Sequence, residues 1–86
     1  MKILILGAGK MGAFFTDLLS FDHEVAVYDI DPKRLRFMYN TQRFTSLDEI
    51  DIFEPELIIN AVRLKYTPTE FEQVIPHLPK SCILPD

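Results

Sequence analysis

The chain alternates short apolar runs with longer stretches in which apolar residues recur at helical spacing. Lys2–Leu6 is an unbroken Ile/Leu run after one Lys, as a strand buried on both faces requires. Over Lys10–Ser20, Met11, Phe14, Phe15, Leu18 and Leu19 recur with the period of a helix. Phe21–His23 reads as a loop and Glu24–Tyr28 (EVAVY) as a second strand. Asp31-Pro32 marks the next helix start. Asp is a good N-cap, and Pro suits the first helical position because its missing N–H would have no partner there. That helix, Pro32–Tyr39, presents Leu35, Met38 and Tyr39 on one side.

Arg43–Thr45 is a short third strand. Ser46-Leu47-Asp48-Glu49 is a capping box that opens a helix ending near Phe53. Leu57–Val62 (LIINAV) is a buried strand. Thr67-Pro68-Thr69-Glu70 is a second capping box, whose helix carries Phe71, Val74 and Ile75 and is ended by Pro76. Ser81–Leu84 reads as a last strand.

Strands that alternate with helices form a parallel sheet covered on both faces. Right-handed crossovers then leave strand order 3-2-1-4-5, a doubly wound, Rossmann-type α/β fold of five strands, truncated after the fifth. The expected organisation is one domain over residues 1–86, a dinucleotide-binding (Rossmann) unit. An edge left uncovered after Leu84 makes self-association, as a homodimer, an expectation.

Composition narrows the partners. The formal net charge is −4, and the basic residues are scattered apart from Lys33, Arg34 and Arg36. A nucleic-acid backbone needs clustered cations, so none is expected as a partner. The single cysteine, Cys82, lies in an apolar run and reads as a core residue, not a reactive thiol. The N-terminal apolar run stops at Gly7, too short for a signal sequence or a membrane span. A cytoplasmic protein without a membrane partner is therefore expected.

The candidate chemistry lies in Ile5–Gly12, ILGAGKMG. A P-loop is excluded: no Gly precedes Gly9 by five residues, and Met11 stands where Ser or Thr would meet magnesium. Gly7, Gly9 and Gly12 instead fill G-x-G-x-x-G between a buried strand and a helix. Gly7 would allow the tight turn, Gly9 would let a pyrophosphate approach the backbone, and Gly12 would bring helix and strand together. The anion would meet free N–H groups and the dipole of the helix N-terminus. Lys10, in that first turn, either adds charge or stays solvated.

The pattern also calls for an acid at the end of the second strand, and Asp29 stands there, 22 residues after Gly7. A carboxylate that accepts from the adenosine ribose hydroxyls would repel a 2′-phosphate, so NAD is expected over NADP. Lys33 and Arg34 pull the other way, because cations accommodate that phosphate. Asp31 is explained as the helix cap.

Together ILGAGKMG, VYDIDPKRL, the capped SLDEI helix, PELIINAV and HLPKSCILPD resemble, along the whole chain, the N-terminal domain of prephenate dehydrogenases, within the wider 6-phosphogluconate-dehydrogenase-like group. The resemblance implies an NAD(P)-dependent oxidoreductase that converts prephenate to 4-hydroxyphenylpyruvate, with loss of carbon dioxide, in tyrosine biosynthesis. By position it implies that Gly7, Gly9, Lys10, Met11 and Gly12 line the pyrophosphate. Asp29 would meet the ribose, and Ala61, Val62 and Arg63 would flank the cofactor. The catalytic His-Pro motif and the helical domain of that family would follow the fifth strand, beyond Asp86. The resemblance therefore assigns the chain a cofactor-binding half with no catalytic residue or metal, inactive alone.

His23, in the loop before the second strand, and His77, after the last helix, fall at the end of the sheet away from the glycines and read as solvated or structural. Arg63 departs from the small polar residue usual in the family, and Pro85 precedes the aspartate that Asp86 would match. Two other readings stay open. One is a regulatory nucleotide-sensing module of the potassium-channel and transporter type, and the other a Rossmann scaffold without a retained ligand.

Overall fold

The structure, a computed structural model, describes residues 1–36, 38, 41–62 and 67–84, and of residues 67–70 the backbone only. Its central strand is β1 (Lys2–Leu6), with β2 (Glu24–Tyr28) on one side and β4 (Leu57–Asn60) on the other. β3 (Gln42–Phe44) lies beyond β2, giving a parallel sheet in the order β3-β2-β1-β4. Leu6 stands level with Tyr28 and Asn60, so β1, β2 and β4 finish together at one end of the sheet.

The unbroken apolar run of β1 follows from cover on both faces. Leu4 and Leu6 point into one core, with Ala26, Tyr28, Phe44, Ile50, Phe53, Ile58 and Val74. Ile3 and Ile5 point into the other, with Val25, Val27, Leu35 and Met38. Each such side chain, removed from water, contributes about 2 kcal/mol of transfer free energy.

α1 (Lys10–Leu19) packs on the second core through Ala13, Phe15 and Leu19. Its buried residues are the small Gly12 and Thr16, which bring the helix axis close to the sheet. Met11, Phe14 and Leu18, expected to share the packed stripe, are turned outward. Ser20 is the C-cap, not the last helical residue, and its N–H donates to the Thr16 carbonyl at 3.0 Å.

α2 (Pro32–Leu35) starts as expected, with Asp31 Oδ1 accepting the Lys33 N–H at 3.0 Å. It is shorter than the predicted Pro32–Tyr39. The Met38 N–H bonds Leu35 three residues back, a tighter turn that carries Met38 into the core. Tyr39 lies outside the described residues.

β3 begins and ends one residue before the predicted Arg43–Thr45. The Thr45 N–H leaves the ladder for Glu49 Oε1, drawn into the capping box of α3 (Leu47–Phe53). That box is complete, with Ser46 Oγ accepting the Asp48 N–H and Glu49 Oε1 the Ser46 N–H, both at 3.2 Å. α3 stops at Glu54, whose left-handed φ of 51° ends the helical run.

β4 stops at Asn60, short of the predicted Val62, because the Val62 N–H turns back to the Asn60 side-chain oxygen at 3.1 Å. α4 (Thr67–Val74) gives way to a 3-10 turn at Ile75–His77 that contains Pro76. Ile75, predicted on the helix's apolar side, is 43 % exposed. The side chains of the second capping box lie outside the described residues.

The fifth strand predicted at Ser81–Leu84 is not formed. Ile83 makes one isolated parallel bridge to Leu57, accepting the Ile58 N–H at 3.1 Å and donating to the Glu56 carbonyl at 2.9 Å. The Cys82 N–H is already committed to a turn with the Pro79 carbonyl, so pairing cannot extend backwards from Ile83. Among the described residues the sheet has four strands, and no helix is long and apolar enough to cross a membrane.

Candidate dinucleotide site

The order of the strands reverses between β1 and β4. In an open parallel sheet the crevice beyond the carboxyl ends of such a pair is where ligands bind. The loop Gly7–Gly9 and the start of α1 occupy that place, beside Ala61 and Val62.

Each glycine meets a different constraint. Gly7 has φ +93°, a conformation that side chains rarely adopt, and its N–H is fixed to the Tyr28 carbonyl at 2.8 Å. A methyl group there would also sit 3.0 Å from the Ala61 carbonyl oxygen and 3.1 Å from the Val62 nitrogen. A methyl on Gly12 would collide with the Gly7 carbonyl oxygen, so the helix rests on the loop itself. Gly9 is the reverse case: a Cβ there would have nothing within 4 Å. The loop is tight beneath and open above, and the open position is the N-cap of α1, with no side chain capping it. The first-turn N–H groups of a helix have no partner within it. Here they face the open position, which fits the phosphates of a dinucleotide.

Lys10 and Met11 are exposed in that first turn. Ala61 and Val62 are half-buried against the loop. Arg63 lies outside the described residues.

Asp29 is at the expected strand end, but its side chain is turned inward and the residue is only 2 % exposed. Oδ2 accepts the Ala8 N–H at 2.9 Å and Oδ1 accepts the Asp31 N–H at 2.8 Å. Arg34 stands at the mouth, half exposed. Its Nη1 is 3.8 Å from Asp29 Oδ2 and its Nε 3.9 Å from Asp31 Oδ2, so the cation partly offsets both acids. The structure thus gathers Gly7, Gly9, Lys10, Met11, Gly12, Asp29, Arg34, Ala61 and Val62 at one end of the sheet.

Two contributors were not anticipated from sequence. The Asn60 side chain that turns Val62 out of the strand has a recognisable signal, since Asn bonds the backbone two residues on. The bond from Ala8 to Asp29 has none, because it joins residues 21 apart through a backbone donor.

The histidines lie elsewhere. His23 follows α1, with its N–H on the Leu19 carbonyl and a buried Nδ1 without a partner. His77 Nδ1 is 2.9 Å from Asp51 Oδ2, tying the 3-10 turn to α3. Burial raises the pKa of the Cys82 thiol. Among the described residues no group of His, Cys, Asp or Glu is arranged to hold a metal ion.

No protein-family model and no curated protein matches the sequence. Solved structures do. A prephenate dehydrogenase from A. aeolicus, in complex with hydroxyphenyl propionate and NAD+, superposes with TM-score 0.86 at 21% identity over 98% of this chain and 32% of that one. Synechocystis arogenate dehydrogenase gives 0.80 at 21% identity over 98% and 31%. A Rex-family repressor gives 0.75 at 16% identity over 96% and 50%. The chain spans about a third of the length of the two dehydrogenases. This likeness shows a Rossmann-like fold of the kind found in NAD-dependent dehydrogenases.

Proposed function

We propose that this chain is the dinucleotide-binding domain of a prephenate-dehydrogenase-like oxidoreductase, and that it binds NAD in preference to NADP. The observation that carries the reading is the free space above Gly9, at the N-terminus of α1 and at the strand-order reversal. Gly7, Gly9, Lys10, Met11 and Gly12 would hold the pyrophosphate. Asp29 and Arg34 stand on the adenosine side, and Ala61, Val62 and Arg63 on the nicotinamide side. The cofactor would supply a hydride acceptor for the oxidation of prephenate to 4-hydroxyphenylpyruvate in the complete enzyme, in the cytoplasm and as a homodimer. This chain's own part is to bind and orient.

Calorimetric titration with NAD and with NADP tests the reading. Saturable NAD binding, tighter than NADP, is expected. A folded chain that takes up neither at millimolar concentration overturns it.

A second reading, a regulatory nucleotide-sensing module, draws support from the fold shared with a Rex-family repressor. Assembly into rings on adding nucleotide, followed by light scattering, would favour it over the first.

A further inference from the structure

We infer that Asp29 is a positioning residue for the glycine loop: its carboxylate clamps the Ala8 and Asp31 N–H groups and so sets the shape of the phosphate site. The inference deepens the dinucleotide reading and rests on it for the ligand, but not for the clamp itself. An acid that reads ribose hydroxyls presents its oxygens to the crevice. Here the carboxylate is buried, and each oxygen already receives a short backbone N–H, at 2.9 Å from Ala8 and 2.8 Å from Asp31. The first donor belongs to the loop after β1 and the second to the turn before α2, so one side chain joins two loops that share no backbone hydrogen bond among those described.

Ala8 is the residue between Gly7, fixed to Tyr28, and Gly9, the open phosphate position. Without an acceptor at Ala8, nothing else described holds that peptide, and the Gly9 backbone loses its fixed approach to the ligand. Burial of a carboxylate is tolerable because both donors, with Arg34 Nη1 at 3.8 Å, compensate for the lost water.

The clamp and the ribose role predict different things. A ribose reader matters only to ligands that carry a ribose, and Glu can replace Asp in that role. A clamp matters equally to inorganic pyrophosphate, and Glu, one methylene longer, cannot sit between the same two donors. The test compares wild type, Asp29→Asn and Asp29→Glu. It reads affinities for NAD and for inorganic pyrophosphate by calorimetry, and amide hydrogen exchange at Gly7 and Ala8 in the ligand-free chain by NMR.

In Asp29→Asn, Ala8 exchange is expected to rise about tenfold relative to Gly7, with both ligands weakened by a similar factor and Asp29→Glu failing to restore either. Unchanged Ala8 exchange, or pyrophosphate affinity kept while NAD affinity falls, overturns the clamp and leaves a ribose reader. If wild type binds neither ligand, the dinucleotide reading fails while Ala8 exchange still decides the clamp. If the variants do not fold, wild-type exchange decides: an Ala8 amide as fast as that of exposed Lys10 overturns the clamp, and a protected one supports it.

Discussion

Two apolar runs, Ile3–Leu6 and Cys82–Leu84, look alike in the sequence and end differently. The first is the middle of the sheet, paired along its length with β2 and with β4. The second touches the sheet at Ile83 alone, and Ile83 and Leu84 are 55% and 46% exposed. Local composition is not what separates them. β1 has a strand on either side and a helical layer above and below, so every apolar side chain has somewhere to go. Ile83 meets β4 on one side only, and the turn at Pro79–Cys82 fixes where its pairing begins. A strand is a collective object: its hydrogen bonds and its burial come from neighbours.

The most forceful way to break this comparison is to empty both places. Leu4→Ala removes a side chain with no exposure at all and should cost about 3 kcal/mol or more, read as a lower urea midpoint. The matching change at the edge, treated below, should cost far less. Equal losses would mean that Ile83 belongs to a formed strand.

Gly12→Ala sharpens the comparison within the well-specified region. Ala is the better helix former by about 1 kcal/mol, and on propensity alone the change would stabilise α1. The collision of the new methyl with the Gly7 carbonyl should win, because backbone must move on both sides. A net loss of about 2 kcal/mol is expected in chemical denaturation, with NAD affinity lost as well. Gly9→Ala is the control three residues away. The methyl meets nothing within 4 Å, so stability should stay within about 0.5 kcal/mol of wild type. Affinity for NAD should nevertheless fall about tenfold, because the methyl occupies the space proposed for the pyrophosphate. A Gly9→Ala chain that binds NAD normally would place the ligand elsewhere.

These glycines also show what could be read from the sequence. The pattern G-x-G-x-x-G assigned each glycine a separate task, and the geometry found at Gly7, Gly9 and Gly12 matches the three tasks one by one. The order of strands and helices up to β4 was equally legible, because apolar runs, Asp31-Pro32 and Ser46–Glu49 are local signals with local causes. The missed features were not local. Helix α1 turns Met11, Phe14 and Leu18 outward because Gly12 and Thr16 set its contact with the sheet. The periodicity was real, and the packed face was decided by the two smallest side chains. Asp29 was found at its position but not in its orientation, since the donors that turn it inward, at Ala8 and Asp31, are backbone groups present at every residue type except proline.

At the edge, Ile83→Ala should cost only about 1 kcal/mol. The side chain is already more than half exposed, and both of its backbone bonds survive the change. Thermal and urea midpoints should move little beside those of Leu4→Ala.

The smallest effect lies at Cys82, next to that bridge, and it reports whether the edge is closed. Cys82 packs against the core that holds Leu4 and Ile58. Burial raises its thiol pKa above the ordinary 9.0, because the thiolate is the form that loses hydration. Reaction with a thiol alkylator at neutral pH requires the thiolate, so Cys82 should react more slowly than an unstructured peptide cysteine. The same shift acts on stability with a definite sign. Below 9.0 the thiol is protonated in both the folded and the unfolded chain and has no effect. Above it the unfolded chain ionises first, so folding stability should fall as pH rises through the folded value. Cys82→Ala, measured alongside, removes this component and leaves that of the lysines and tyrosines. A Cys82 that reacts at the rate of a peptide thiol, with the same alkaline stability profile as Cys82→Ala, would mean that the edge opens freely. The contrast with β1 would then be sharper than a single bridge implies.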